Sequence, residues 1–256
     1  MVGMNQEIRE AGKLIRDHER FGRNGYELFR DFVEASFNAL FRNITLAPGQ
    51  GEARESAYMR ISDRYCGHTR SAVVIRDLFP ALLGLCAMSN ARKEDFLGGL
   101  AMELGLLNRH QGQFFTPASI AALSARMQLD RDLIETRRAA GRRVRIHEPA
   151  CGAGIMLIEA ARYLEDDLGV DLTKEVIMSA VDVSPMAFHM ASIQLTLCNI
   201  PAVIFLGNGL SSDIEESCSD KVITRILADQ IEKTRGLSPR SFALSTKALA
   251  HEGIIE

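Results

Sequence analysis

The stretch Glu148–Gly154, with the sequence EPACGAG, decides the fold of this chain. It follows a short apolar run, Val144–His147, and precedes an amphipathic helix predicted over Ile155–Leu168. Glycines directly after a strand permit a tight turn and let the backbone approach a ligand closely. A strand, a glycine turn and a helix in this order predict the first unit of a parallel α/β sheet.

A second strand and a third follow at the spacing that such a sheet needs. An apolar run from Val176 to Val183 predicts the second strand, which ends near Asp182. A helix is predicted from Pro185, and a third strand over Ala202–Leu206 leads into Gly207-Asn208-Gly209. Open α/β sheets bind ligands at the carboxyl ends of their strands, and an acid after the second strand often binds ribose hydroxyls. The pattern therefore predicts a nucleoside site, with a plain β–α turn as the alternative.

The glycine turn lacks two common phosphate-binding motifs. A dinucleotide fingerprint needs a third glycine where this chain has Leu157, and no Gly-Lys-Ser or Gly-Lys-Thr follows the turn. A nucleoside ligand without a pyrophosphate is what remains, and S-adenosyl-L-methionine (SAM) is the obvious candidate.

The first hundred residues predict helices. Apolar side chains recur at helical spacing from Gly25 to Asn43, and a third helix is predicted over Glu94–Leu107. Between them, Val73–Met88 contains Pro80, which should kink or restart a helix. Ala47–Glu55 predicts a loop because it contains one proline and two glycines.

Composition excludes several classes of protein. The chain has 256 residues, of which 46% are hydrophobic and 25% charged, as in a globular protein rather than a disordered or fibrous one. No apolar run approaches the roughly 18–20 residues of a membrane-spanning helix, and the start lacks the apolar segment of a secretory signal. Five dispersed cysteines show no metal-binding spacing and are typical of a reducing compartment. We therefore expect a cytoplasmic protein with no metal site and no membrane partner.

Four ordered motifs resemble those of the amino-methylating DNA methyltransferases. They are Gln111–Pro117 (QGQFFTP), Glu148–Gly154, Ala180–Pro185 (AVDVSP) and Gly207–Leu210 (GNGL), together with the leucine-rich helix Ile193–Ile200. Over about residues 105–212 the chain is most similar to the modification subunits of type I restriction–modification systems, which methylate adenine at N6. The resemblance implies an α/β fold: an N-terminal helical region followed by a partial class I SAM-dependent methyltransferase sheet, Rossmann-like and parallel.

Three regions follow from the pattern and the resemblance together. We expect a helical N-terminal domain at 1–108, a SAM-binding α/β domain at 109–212 and a helical C-terminal segment at 213–256. Pro117 opens a predicted helix, Ala118–Leu129, with Thr116 as its N-cap. In the C-terminal segment a helix is predicted over Asp220–Lys233.

The resemblance also implies roles for individual residues of a cofactor site. Glu148 would receive the ammonium group of SAM, Asp182 the two ribose hydroxyls, and Asn208 the exocyclic amine of adenine, although the family usually has Asp at this last position. Other implied cofactor-binding residues line the methionine end, the glycine turn and the adenine face: Phe115, Thr116, Pro117, Pro149, Cys151, Gly152, Gly154 and Val183.

The residues by themselves leave alternatives open. Phe115 could be a core aromatic, and Asp182 could be a favourable charge at the N-terminus of the helix that Pro185 begins. Cys151 is interpreted as a small packing residue, because no His or acid is placed to make it a nucleophile.

The base-gripping motif of the family, Asn/Asp/Ser-Pro-Pro-Phe/Tyr, has no counterpart in the sequence. A base extruded from the duplex must be held by stacking and by edge hydrogen bonds, yet the seven prolines include no Pro-Pro pair, and Leu237–Phe242 is only a mimic. We therefore assign no catalytic residue. Three strands are predicted where the family's fold has more, so the first strand should lie at an open edge that a helix or a partner chain could cover.

Two functions remain open from the sequence. One is an adenine-N6 DNA methyltransferase chain that is truncated or inactive in isolation. The alternative is a non-catalytic SAM-binding or interaction protein that associates with or regulates a restriction–modification complex. The net charge of −3 does not indicate DNA binding. Locally, however, a basic patch without an acid favours phosphate contacts, with a solvated loop as the alternative: Arg137, Arg138, Arg142, Arg143 and Arg145. A specificity subunit, another subunit of such a complex or a second copy of this chain are the further partners considered.

Overall fold

Helices form the N-terminal part of the protein and a small sheet follows. The computed structural model describes residues 5–44, 49–66, 71–106, 116–211 and 213–219. The N-terminal helices are α1 (Gln6–His18), α2 (Gly25–Phe41), α3 (Gln50–Cys66), α4 (Phe79–Asn90) and α5 (Phe96–Glu103). The α/β part consists of α6 (Ala118–Gln128), α7 (Arg131–Ala139), β1 (Val144–Glu148), α8 (Ile155–Arg162), α9 (Leu172–Glu175), β2 (Val176–Asp182), α10 (Pro185–Leu197), β3 (Ala202–Asn208) and β4 (Asp213–Ser219).

The sheet has the order β1-β2-β3-β4. The pairs β1–β2 and β2–β3 are parallel, and β4 is antiparallel to β3. Every residue of β2 except Asp182 is buried, and β3 is buried as far as Gly207. Near-continuous apolar runs of this kind are typical of parallel strands covered on both faces. Within the described residues β1 pairs on one side only, as the sequence predicted.

One continuous core joins the helical part to the sheet. Asn24 and Glu27 form a capping box that begins α2, and this helix buries a row of phenylalanines. On the side of the sheet, α10 packs against α2, where the ring centroids of Phe37 and Phe188 lie 5.2 Å apart. Helix α10, which follows the carboxyl end of β2, is therefore supported by the N-terminal helix α2.

The fourth strand corrects the sequence prediction, which had no strand after residue 210. Its sequence, DIEESCS, contains a single β-branched residue, Ile214, and its first half alternates between exposed and half-buried side chains. Charged residues of this kind are usual on an edge strand, which owes its conformation to pairing with its neighbour rather than to its own composition. The sheet is consequently mixed and not purely parallel.

Three local predictions also needed correction. Helix α3 begins at Gln50, inside the predicted loop 47–55, because buried Arg54 donates to the carbonyls of Phe41 and Ile44 and so anchors α3 on the end of α2. Thr116 is not the N-cap of α6; Pro117 occupies that position and makes no side-chain cap. The first arginines of the basic patch belong to an unpredicted helix, α7, which Asp130 caps through the Leu133 amide.

The break predicted at Pro80 is present in the structure. The π-helical turn Val74–Leu78 precedes α4, which restarts around Pro80 as predicted. In the described part of the chain no helix has the length and apolarity to cross a membrane. The same part holds no group of His, Cys, Asp or Glu suited to a metal ion. Residues 111–115 and the predicted helix at 220–233 lie outside the described residues.

Candidate functional site

The carboxyl ends of β1, β2 and β3 meet at one edge of the sheet. The register pairs Glu148 with Ala180 and Asp182 with Leu206, so each strand ends two residues beyond its neighbour and the segments after the strands leave the sheet at the same edge. This is the edge at which open α/β sheets bind their ligands.

The glycine turn after β1 is fastened to β2. The Cys151 amide donates to the Val181 carbonyl at 3.0 Å, and the Gly154 amide donates to the Cys151 carbonyl at 2.8 Å. Gly154 has a φ of +97°, a left-handed conformation that favours glycine, and it immediately precedes α8. Beside Gly152, space is open where a Cβ atom would stand. Backbone hydrogen bonds thus hold the turn against β2, while the outer side of the turn at Gly152 has room for a ligand.

Asp182 connects the turn after β1 with the segment after β2. Its Oδ2 accepts from the Gly152 amide at 2.8 Å and its Oδ1 from the Ser184 amide at 2.9 Å. A carboxylate has about four acceptor positions, so further donors can still be accommodated. The alternative interpretation, in which Asp182 is only a favourable charge at the N-terminus of α10, does not account for the hydrogen bond of this half-buried acid to the glycine turn. The side chain that caps α10 is that of Ser184.

The turn after β3 closes on the turn after β1. A Cβ atom on Gly209 would lie 2.7 Å from the Pro149 carbonyl oxygen, so only glycine permits this approach. Asn208 shapes the turn, since its Oδ1 accepts from the amides of Leu210 and Ser211 at 2.9 and 3.3 Å. Because this oxygen already has two donors, an adenine amine would have to compete with the turn for it.

The side chains around this edge differ sharply in exposure. Val183 is 69% and Leu210 97% exposed, so both offer apolar surface that suits contact with a flat apolar ligand. Glu148 is half-buried, and its Oε1 accepts from the Ala150 amide at 3.2 Å. Cys151 is buried, and burial raises the pKa of its thiol, as the packing interpretation requires. Thr116 is half-buried and directly precedes Pro117, which occupies the N-cap position of α6, and α6 packs on α8.

The basic patch does not lie at this edge. Arg142 and Arg143 directly precede β1, and therefore stand at its amino end, whereas the glycine turn follows its carboxyl end. At about 3.3 Å per residue, the five residues of β1 separate the two by more than about 13 Å. Arg138, moreover, forms an ion pair with Glu175, which lowers the pKa of that carboxyl. Arg142 and Arg143 are close to the glycine turn in sequence but not in space, because the extended strand β1 lies between them and the turn.

Two polar residues near the site, Gln194 and Asp95, were not predicted from the sequence. Gln194 is fully buried in α10 and binds the carbonyl of Ala153 in the glycine turn. It also binds Asp95, which caps α5. The available signal was a glutamine between Ile193 and Leu195 in a mostly apolar helix, since a buried polar group must have partners.

Comparison with known proteins agrees with this geometry. The sequence model of the family described as N-6 DNA Methylase matches residues 94–229, more than half of the chain. The chain belongs to the N-6 DNA methylase family. Among solved structures, a protein from Listeria monocytogenes assigned as a class I SAM-dependent methyltransferase is 19% identical, with a TM-score of 0.35. The match covers 72% of this chain but only 54% of that protein, and at this score it adds nothing to the assignment. A search of curated proteins found no match.

Family membership makes SAM the cofactor, and the residues at the carboxyl edge fit it. Asp182 keeps acceptor positions for hydroxyl donors, the turn beside Gly152 is open, and exposed Val183 supplies an apolar surface next to the acid. Such a combination of one acid, bare backbone and apolar side chain suits a nucleoside better than a phosphate.

Proposed function

We propose that this chain is the SAM-binding portion of an adenine-N6 DNA methyltransferase similar to the modification subunits of type I restriction–modification systems. The observation that supports the proposal most directly is the hydrogen bond between Asp182 and the Gly152 amide. It brings the acid of the second strand to the glycine turn of the first, next to the exposed side chain of Val183.

The nucleoside half of the cofactor would bind to residues after β2 and β3. Asp182 accepts the ribose hydroxyls on the acceptor positions that Gly152 and Ser184 leave unused, and Val183 packs against adenine. Asn208 would donate from its Nδ2 to a ring nitrogen of adenine, because its Oδ1 is engaged in the turn. This differs from the role that the resemblance implied, in which Asn208 accepts the exocyclic amine.

The methionine half would bind to the turn after β1 and to the start of α6. Glu148 offers a carboxylate for the ammonium group, and Gly152 and Gly154 let the backbone pass close to the ligand. Thr116 and Pro117, with Phe115 just outside the described residues, would close over this end. SAM supplies a methyl group activated on a sulfonium, and the task of these residues is to bind and orient it.

Calorimetry on the purified chain tests cofactor binding. We expect saturable binding of one SAM per chain and no comparable binding of NAD or ATP, because the turn has no cradle for a pyrophosphate. S-adenosylhomocysteine, which lacks only the methyl group, should compete for the same site. Saturable binding of NAD without binding of SAM would contradict the proposal.

A transfer assay distinguishes the enzyme from the binding protein. We propose that methyl transfer needs a base-gripping motif that this sequence lacks, since it contains no Pro-Pro pair. Incubation of the chain with tritiated SAM and unmethylated DNA should therefore label the DNA no more than a blank does. Labelling that Asp182→Ala abolishes would show instead that the chain is a complete enzyme.

DNA and a second subunit are the partners that we propose. Arg137, Arg142 and Arg143 would contact phosphates away from the target base, because they stand at the opposite end of β1 from the glycine turn. A specificity subunit, or a second copy of the chain, could cover the outer side of β1. A reducing, cytoplasmic location is consistent with the five dispersed cysteines of the sequence.

A further inference from the structure

A buried glutamine joins the N-terminal helices to the glycine turn. Gln194 in α10 is 0% exposed. Its Nε2 donates to the Ala153 carbonyl and to Asp95 Oδ1, both at 2.8 Å. Its Oε1 accepts from the Leu97 amide at 2.9 Å and from Asn90 Nδ2 at 3.3 Å. Both donors and both acceptor positions of the side-chain amide are thus used.

The orientation of this amide follows from its backbone partners. The Leu97 amide can only donate and the Ala153 carbonyl can only accept, so the oxygen of Gln194 must face Leu97 and its nitrogen must face Ala153. The side chain therefore holds the start of α5 with one atom and the glycine turn with the other.

The turn is consequently held from two directions. Asp182 binds the amide of Gly152, and Gln194 binds the carbonyl of the next residue, Ala153. Gly154 follows, and a Cβ atom added to it would lie 3.6 Å from Ala191, a neighbour of Gln194 on α10. Both of these hydrogen bonds to the turn therefore depend on the position of α10 and of the residues just before it relative to β1.

We propose that Gln194 is a positioning residue for cofactor binding: it holds the Ala153 carbonyl so that the Gly152 amide stays against Asp182, and it makes the N-terminal helices part of the cofactor site. The inference rests on the proposed function in so far as the turn binds SAM. The position of the turn itself is independent of any ligand.

The test compares two buried substitutions in the same helix. Gln194→Met keeps the length of the side chain and removes all four hydrogen bonds. Ser192→Ala is the matched control, because Ser192 is also fully buried but donates only to the Phe188 carbonyl within α10. We expect Gln194→Met to weaken SAM binding about tenfold, which corresponds to ~1.4 kcal/mol, and Ser192→Ala to leave the affinity within about twofold, which corresponds to ~0.4 kcal/mol.

Hydrogen–deuterium exchange of the ligand-free protein supplies a readout that lost stability alone would not give. Amides at 151–158 should exchange faster in Gln194→Met than in Ser192→Ala at matched distance from the thermal midpoint. Equal exchange in the two variants would overturn the role of Gln194, whether or not SAM binds. If wild-type protein fails to bind SAM, the proposed function is wrong, and the exchange experiment still decides the positioning role.

Should Gln194→Met not fold, Gln194→Asn takes its place. The asparagine side chain is too short to reach both Ala153 and Leu97, so the same result is expected.

Discussion

Asp182→Ala is expected to lower the affinity for SAM at least about 100-fold, or ~2.7 kcal/mol. The substitution removes the acceptor of the ribose hydroxyls, and hydrogen bonds to a charged group contribute about 1.5–3 kcal/mol each. It also deprives the amides of Gly152 and Ser184 of their acceptor, so the turn after β1 keeps only its backbone hydrogen bond from Cys151 to Val181 as a link to β2. Calorimetric titration with SAM measures the loss.

Two variants make this result specific. Asp166→Ala removes the same charge from an exposed position on the π-helical turn after α8, and should leave the affinity unchanged. Asp182→Asn keeps the shape but offers one acceptor atom in place of two, so its affinity should lie between those of wild type and Asp182→Ala. An unchanged affinity in Asp182→Ala, with the thermal midpoint preserved, would exclude Asp182 from the cofactor site.

Asp31→Leu is expected to destabilise the protein by about 3 kcal/mol, at the lower end of the usual cost of breaking a buried ion pair. Asp31 is fully buried in α2 and accepts from Arg30 and Arg64, while its Oδ2 accepts from the hydroxyl of Tyr65 at 2.8 Å. The arginines are partly exposed and can turn to water, but the Tyr65 hydroxyl cannot. Burial raises the pKa of Tyr65, so the hydroxyl stays protonated and needs an acceptor.

Urea unfolding followed by circular dichroism measures this effect. Asp63→Ala, an exposed acid of α3, is the control and should stay within about 0.5 kcal/mol of wild type. The double variant Asp31→Leu/Tyr65→Phe also removes the Tyr65 hydroxyl, so that no buried hydroxyl is left without an acceptor. Part of the stability lost in Asp31→Leu should therefore be recovered. Equal stability of Asp31→Leu and Asp63→Ala would mean that the ion pairs of Asp31 contribute nothing.

The sequence predicted those parts of the fold whose local pattern matches their final environment. Val176–Asp182 is an apolar run buried on both faces, and Pro185 begins α10 at the residue that was expected. Asp182 was predicted correctly to stand at the end of the second strand, because the apolar run ends there and Pro185 begins the next helix. The glycine turn was equally predictable, since the left-handed backbone conformation found at Gly154 favours glycine.

Features set by tertiary contacts could not be predicted in this way. β4 is a strand because β3 lies beside it, and its own polar sequence gives no sign of that pairing. The distance between Arg142 and the glycine turn depends on the direction of β1. Gln194 binds groups that lie 41 to 104 residues away from it in the chain, and only the folded structure brings Asn90, Leu97 and Ala153 to one side chain.

The continuous core between the N-terminal helices and the sheet has a consequence for how the protein loses its structure. Phe37 and Phe188 share one apolar cluster, and so do the phenylalanines of α2 and the buried strands. When two regions bury their apolar surfaces against each other, separating them exposes both to water. The helical region and the cofactor-binding region should therefore melt together, in a single cooperative transition, and SAM bound to the sheet should protect α1 and α2 as well.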